Sequence, residues 1–223
     1  MKRWLCCGLF SLLSLLLVLA ISLSLLLGTQ GGSRWLLAQV PGLQVDDFDG
    51  RLGGSWSATQ LRWQQGENSV QVMAPSLDWS PTCLLRLTLC IEQLRSGPIS
   101  LVFPDDEQPS RQPFSLPDLS LPLALQLGQV QIDSLQLNGV EQLQGLQLAA
   151  RWTAKGIQID NLSLATADLQ VALQGQVQTS GNWPLQLSGQ LQLPAPEQQA
   201  WPVALQLNGE LREQVQLTAR SSG

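Results

Sequence analysis

Histidine is absent from this chain of 223 residues, which removes the Ser-His-Asp and Cys-His arrangements and most catalytic zinc sites. Charge is scarce too: charged residues make up 13% of the chain, and 12 basic against 17 acidic side chains leave a net charge of −5. The cationic footprint that phosphate binding requires is missing, so no nucleic-acid partner is expected. A second long apolar run is also missing, which excludes a multi-span channel or transporter. Much of the polarity comes from Gln, so the polar surface is wet but nearly neutral.

The enzyme class that survives the histidine filter is a Ser-Lys hydrolase beside a membrane. Apart from Lys2, the only lysine is Lys155. Ala154-Lys155-Gly156 reads as a hairpin tip, where a lysine is solvated and its pKa does not easily fall. The chain is therefore expected to be no enzyme. Asp46, Asp47 and Asp49 before Gly50 look superficially like a calcium loop, but Arg51 to Trp56 supplies neither further oxygen ligands nor a terminal glutamate. A solvated acidic turn is the expectation, with no metal and no cofactor.

What is present begins with an apolar run from Leu5 to Leu27, about 23 residues without a charge. A signal peptide has a shorter apolar core and a small-x-small cleavage site, so a single retained transmembrane helix is favoured. Cleavage near Val18-Leu19-Ala20 is the alternative and would release a soluble periplasmic domain. Lys2 and Arg3 precede the run and only Arg34 follows closely, which places the N-terminus in the cytoplasm and everything after Gly28 outside. Residues 1–28 are read as cytoplasmic stub and anchor, held in membrane lipid.

Cys6 and Cys7 lie in the anchor and are expected to pack as small apolar residues. Cys83 and Cys90 lie in the exported part, where an oxidising compartment favours a bridge. An extended segment would hold them over roughly 20 Å apart, whereas a disulfide permits about 4.4–6.8 Å between α-carbons. The chain must turn or coil within Leu84 to Leu89.

Residues 29–103 read as an opening β unit. Arg34 to Val40 is a short helix stopped by Pro41-Gly42. Leu43-Gln44-Val45, a run through Leu61 and Trp63, Ser69 to Leu77 and Ile91 to Phe103 read as strands. Trp35, Trp56, Trp63 and Trp79 fit either an interfacial belt or core anchors, and Trp35 alone is assigned to the interface. Residues 104–122, with Pro104, Pro109, Pro113, Pro117 and Pro122 and the run Asp105-Asp106-Glu107, read as an extended acidic linker.

From 123 to 223 period two dominates. Leu121 to Leu127, Val130 with Ile132, Leu135 with Leu137, Leu146 with Leu148, Ile157 with Ile159, and Leu162 with Leu164 put apolar side chains on one face. Asn138-Gly139, Lys155-Gly156, Gly181-Asn182, Ser188-Gly189 and Asn208-Gly209 fall between runs as turn signals, which predicts an antiparallel meander. A weak repeat relates Trp183-Pro184-Leu185 to Trp201-Pro202-Val203, offset by about 18 residues and near the length of one hairpin. Leu169, Val171, Leu173, Leu185, Leu187, Leu205 and Leu207 are expected to line one face of a curled sheet, either packed shut or left as an apolar groove. With no closing element after the last run, the chain reads as truncated, the front of a longer array.

This order of features resembles the N-terminal part of the TamB family, the inner-membrane subunit of the translocation and assembly module of Gram-negative bacteria, within the wider AsmA-like group. Val40-Pro41-Gly42-Leu43, Gly50-Arg51-Leu52-Gly53-Gly54-Ser55-Trp56, Asp78-Trp79 with Cys83 and Cys90, and Ile91-Glu92-Gln93-Leu94 carry the likeness, with Asn182-Trp183-Pro184 and Leu211-Arg212-Glu213-Gln214 later. The resemblance implies an elongated, mainly β periplasmic protein whose far end meets the outer-membrane barrel partner TamA, through a contact region expected to be missing here. It implies a part in inserting outer-membrane proteins such as autotransporters. Alternatively, a phospholipid conduit runs along an apolar β groove, or the protein is a purely structural tether.

Overall fold

The computed structural model describes residues 2–103, 118, 122–166, 168–193 and 201–221. Helix α1 runs over Lys2–Gly28. Most of its described large side chains stand clear of the rest of the protein, Leu15 being 66% exposed and Leu25 59%, whereas Leu26 and Leu27 at its end are half-buried. The side chains of Cys6 and Cys7 lie outside the described residues. Thr29 then leaves helical geometry and its hydroxyl accepts from the Gly32 N–H, so a second helix, α2 (Gln30–Ala38), starts earlier than the Arg34 expected from periodicity. Where side chains are described, from Ser14 onward, no single helix is long and apolar enough to cross a membrane. Ser14–Gly28 and Gln30–Ala38 together are, by length and composition, but the pair is bent by 92°.

The remainder is β structure. Strands β1 (Leu43–Asp46), β2 (Asp49–Gly50), β3 (Trp56–Ser57), β4 (Gln60–Gln65), β5 (Asn68–Met73), β6 (Ser76–Ser80) and β7 (Thr88–Val102) come first. Then follow β8 (Ala124–Leu137), β9 (Val140–Leu143), β10 (Gly145–Thr153), β11 (Gly156–Ala165), β12 (Gln170–Val177), β13 (Pro184–Leu193), β14 (Trp201–Glu210) and β15 (Val215–Ser221). All belong to one sheet with the main order β1-β4-β5-β7-β8-β10-β11-β12-β13-β14-β15. Among the described residues β1 and β15 do not pair, so the sheet is open and not a closed barrel.

The run Ser69 to Leu77, expected as one strand, is two. It breaks at Ala74-Pro75, where Ala74 takes φ +44°, a conformation a strand does not use. β5 then pairs the far half of β7, Val72 against Ile99, and β6 pairs the near half, Leu77 against Leu94.

The expected all-antiparallel ribbon has one exception. β7 and β8 are parallel, from Thr88 opposite Ala124 to Leu101 opposite Leu137. A parallel pair needs a crossover of a dozen residues or more, and the proline-rich segment supplies it. Residues 104–117 and 119–121 of that linker lie outside the described residues.

Two of the expected turns are interior to strands. Ser188-Gly189 lies within β13 and Asn208-Gly209 within β14, whereas Asn138-Gly139 joins β8 to β9 with both residues at positive φ, as a two-residue hairpin requires. The repeat centred on Trp183 and Trp201 corresponds to the paired strands β13 and β14 themselves, with Leu187 opposite Leu207. Its unit is one strand and its turn. Buried apolar residues are few: Phe48, Ala58, Val130, Ala150, Trp183 and Leu185. Most of the apolar face is half-buried, as expected of a single curled layer on which no second layer packs among the described residues.

Candidate functional site

Two places concentrate the unusual geometry: the elbow where α1 meets the sheet, and the apolar face of β12 to β14. At the elbow the Gly53 N–H donates to the Leu27 carbonyl at 2.8 Å. The Leu52 N–H donates to Ser33 Oγ at 2.9 Å, and Ser33 is fully buried. Arg34 holds the other side, its Nη2 donating to the Phe48 carbonyl at 2.6 Å. Phe48 stacks on Trp56 with ring centroids 5.9 Å apart. Trp79 Nε1 donates to the Leu52 carbonyl at 2.8 Å, and Ser55 Oγ donates to Asp78 at 2.7 Å. The Gly50–Trp56 and Asp78-Trp79 motifs, distant in sequence, thus converge on the end of α1. A β-carbon on Gly53 would lie 2.9 Å from the Leu27 oxygen, so glycine is what lets the loop seat there.

On β12 to β14 the register sets rows across the strands. Leu173, Gly189 and Leu205 form one row; Gly175, Leu187 and Leu207 the next; Val177, Leu185 and Gly209 a third. Each of these three rows holds one glycine, at a different strand each time, so bulky and missing side chains alternate over this part of the face. At Gly189 a β-carbon would come within 1.9 Å of the Ala172 oxygen. Glycine inside a strand permits such close backbone approach and the bend that goes with it, which is how a single sheet curls around its apolar side.

The first row continues back through the molecule. Leu173 faces Leu162, which faces Leu148; Leu148 faces Val130, and Val130 faces Leu94. Leu94 faces Leu77, which faces Trp56. From β3 to β14 this path crosses eight inter-strand steps, roughly 38 Å at about 4.8 Å per step. Register shifts at Leu148/Ala150 and Ile159/Leu162 absorb the slips in phase without moving apolar side chains off the face.

The expected lining residues Val171, Leu173, Leu187, Leu205 and Leu207 are brought onto this one face and are half-buried. Leu185 shares the face but is 4% exposed, beside the buried Trp183. Leu169 is half-buried just before β12, its carbonyl accepting from the Thr166 N–H at 2.9 Å.

The other face is polar. An open hollow on it, about 620 Å³, is lined by Gln158, Asp160, Gln174, Gln186, Ser188 and neighbours. It holds little charge: Arg151 pairs with Asp160 at 3.1 Å, and this hydrogen bond and charge raise the Arg151 pKa above its ordinary value. A hollow of glutamine amides over strand backbone offers no convergent charge or buried donor, so the chemically distinctive surface is the apolar one. Lys155 is exposed at the β10–β11 turn. Asp46, Asp47 and Asp49 are spread over β1, a turn and β2, with Asp47 accepting from Thr59 and Asp49 from Gln30.

One arrangement was not anticipated. Asn182 Nδ2 donates to Glu210 and to Glu213, both at 2.7 Å, and the Leu211 N–H donates to the Trp183 carbonyl at 3.1 Å. The β12–β13 turn and the β14–β15 turn are thereby stapled together. Asp118, from the crossover, reaches the same place and pairs with Arg212 at 3.0 Å.

Comparison with known proteins agrees with this architecture. The family described as TamB, N-terminal domain, matches residues 18–115 and 106–223. No curated protein and no solved structure matches the chain. Since the two family matches together cover residues 18 to 223, the chain belongs to the TamB N-terminal domain family.

Proposed function

We propose that this chain is a non-enzymatic, membrane-anchored segment of a lipid conduit, with α1 retained in the inner membrane, the N-terminus in the cytoplasm, and the sheet in the periplasm. A TamB-type role lies in outer-membrane protein assembly or lipid transport, and the geometry favours the second. The observation that carries this reading is the apolar path from Trp56 to Leu205, continuous across the strands and half-buried except at the buried Val130, with no second layer over it among the described residues. Phospholipid acyl chains are the ligand class such a face fits, since it presents Leu and Val with almost no charge. A tether of similar length would need a core that is closed. An assembly factor would instead work through a barrel partner such as TamA.

Extraction of the full chain in mild detergent, followed by mass spectrometry of bound lipid, tests the reading with Leu187→Arg beside it. In an open trough the guanidinium reaches water and obstructs acyl chains, so the variant stays folded and loses phospholipid. In a closed core a buried unpaired cation unfolds the sheet. A wild-type protein free of phospholipid together with an unfolded variant overturns the conduit.

A further inference from the structure

A short 3-10 turn, Pro81–Arg86, contains Cys83, which a disulfide joins to Cys90 at the start of β7 with α-carbons 5.9 Å apart. It does not use its leucines to pack. Leu85 is 89% exposed, Leu87 65% and Leu84 39%, and Leu85 is the most exposed large apolar side chain among the described residues. Three leucines held outward on a covalently closed turn, with no described residue packed over them, form an apolar patch of the kind that marks a contact site. Arg86 lies among them, exposed, and no acidic residue occurs from Pro81 to Leu89. Leucines around one arginine suit the boundary between acyl chains and anionic headgroups.

Position decides which contact is meant. Leu27, at the end of α1, accepts from Gly53; the neighbouring Leu52 accepts from the Trp79 indole; and Ser80 leads directly into the turn. The loop is therefore tied, through two backbone acceptors, to the place where the apolar helix ends. Trp35 of α2, the helix that follows α1 at the same elbow, is 55% exposed.

We propose that the Cys83–Cys90 loop is a second membrane-contacting element, seating Leu84, Leu85 and Leu87 in the lipid surface beside the exit of α1. It rests on the anchored reading of α1. One helix alone lets the molecule as a whole tilt and rotate about the helix axis in the bilayer. A second point of attachment fixes its orientation, so that the row beginning at Trp79, with Ile91 and Leu127 across from it, opens at the lipid surface. The disulfide keeps the turn rigid enough to act as that foot.

The test places a nitroxide-bearing amino acid at Leu85, leaving the bridge untouched, in the full chain reconstituted into vesicles of phosphatidylethanolamine and phosphatidylglycerol. Leu19 in α1 and Leu217 on β15 serve as references. Accessibility to oxygen relative to a water-soluble nickel complex is expected to be severalfold higher at 85 than at 217 and to approach that at 19. Leu87→Glu is expected to lower the ratio at 85 severalfold without changing it at 19. If 19 reads as lipid while 85 reads as water, the loop proposal is overturned and the anchor stands. If 19 also reads as water, both fall. Shielding of 85 from both reagents reports a protein contact and likewise overturns it.

Discussion

Leu173 lies directly across from Gly189, and its Cδ2 sits 2.7 Å from where a β-carbon on Gly189 would be. The leucine fills the space the glycine leaves, and the strands approach closely enough there to bend the sheet. Gly189→Ala must push both Leu173 and the Ala172 carbonyl, and the latter is backbone. A loss of about 1–3 kcal/mol is expected, read as a lower thermal midpoint by circular dichroism. Gly145→Ala, whose new carbon would meet only Ala165 at 3.7 Å, is expected to leave that midpoint unchanged.

The elbow makes a different prediction. Ser33 is fully buried and accepts from Leu52, so Ser33→Ala leaves a half-buried N–H without its acceptor. The expected cost is about 1–3 kcal/mol, localised as faster amide exchange over 51–54. Unchanged exchange there would show that the loop is held by the Gly53–Leu27 contact alone.

Loss of the Cys83–Cys90 bridge is expected to act locally. Closing so short a loop contributes about 2–3 kcal/mol in the chain-entropy account. The Cys83→Ser, Cys90→Ser double variant is therefore expected to exchange faster in β6 and β7, with β13 and β14 unaffected. Uniform acceleration through β14 would mean that the sheet unfolds as one unit from its first strands.

Asn182 is a third local device, joining two turns through Glu210 and Glu213. Asn182→Ala is expected to cost about 1 kcal/mol and to speed exchange at Leu211 and Arg212, whose N–H groups donate to the adjoining turn. Proteolytic nicking within 211–214 is a second measurement of the same loosening.

The period-two pattern was enough to place the apolar side chains of β12, β13 and β14 on one face, because alternation in a strand fixes which residues share a side. Two signals misled. Ser-Gly and Asn-Gly are turn dipeptides by composition, yet Gly189 and Gly209 keep the odd-numbered phase of Leu187, Leu191, Leu205 and Leu207, which a turn would break. A phase slip inside one strand looks, in the sequence, like a break between two short runs. In β8 the runs at Leu125 and Leu127, Val130 and Ile132, and Leu135 and Leu137 belong to one strand. The parallel pairing had a visible trace: Leu89, Ile91, Leu94, Ile99 and Leu101 slip in step with Leu125, Leu127, Val130, Leu135 and Leu137, their partners in register. The Asn182 staple was not legible, because two turns distant in sequence meet only once the intervening strands have curled.

The central claim is that one face of the sheet is an open acyl-chain path, and neighbouring residues of a single strand test it most directly. A photoreactive side chain at Leu187 or Leu205 in the membrane-embedded full chain is predicted to capture phospholipid, whereas the same group at Gln186 or Gln206, on the opposite face, captures none. Equal labelling at 186 and 187, or a folded protein with no lipid adduct at 187 and 205, would contradict it.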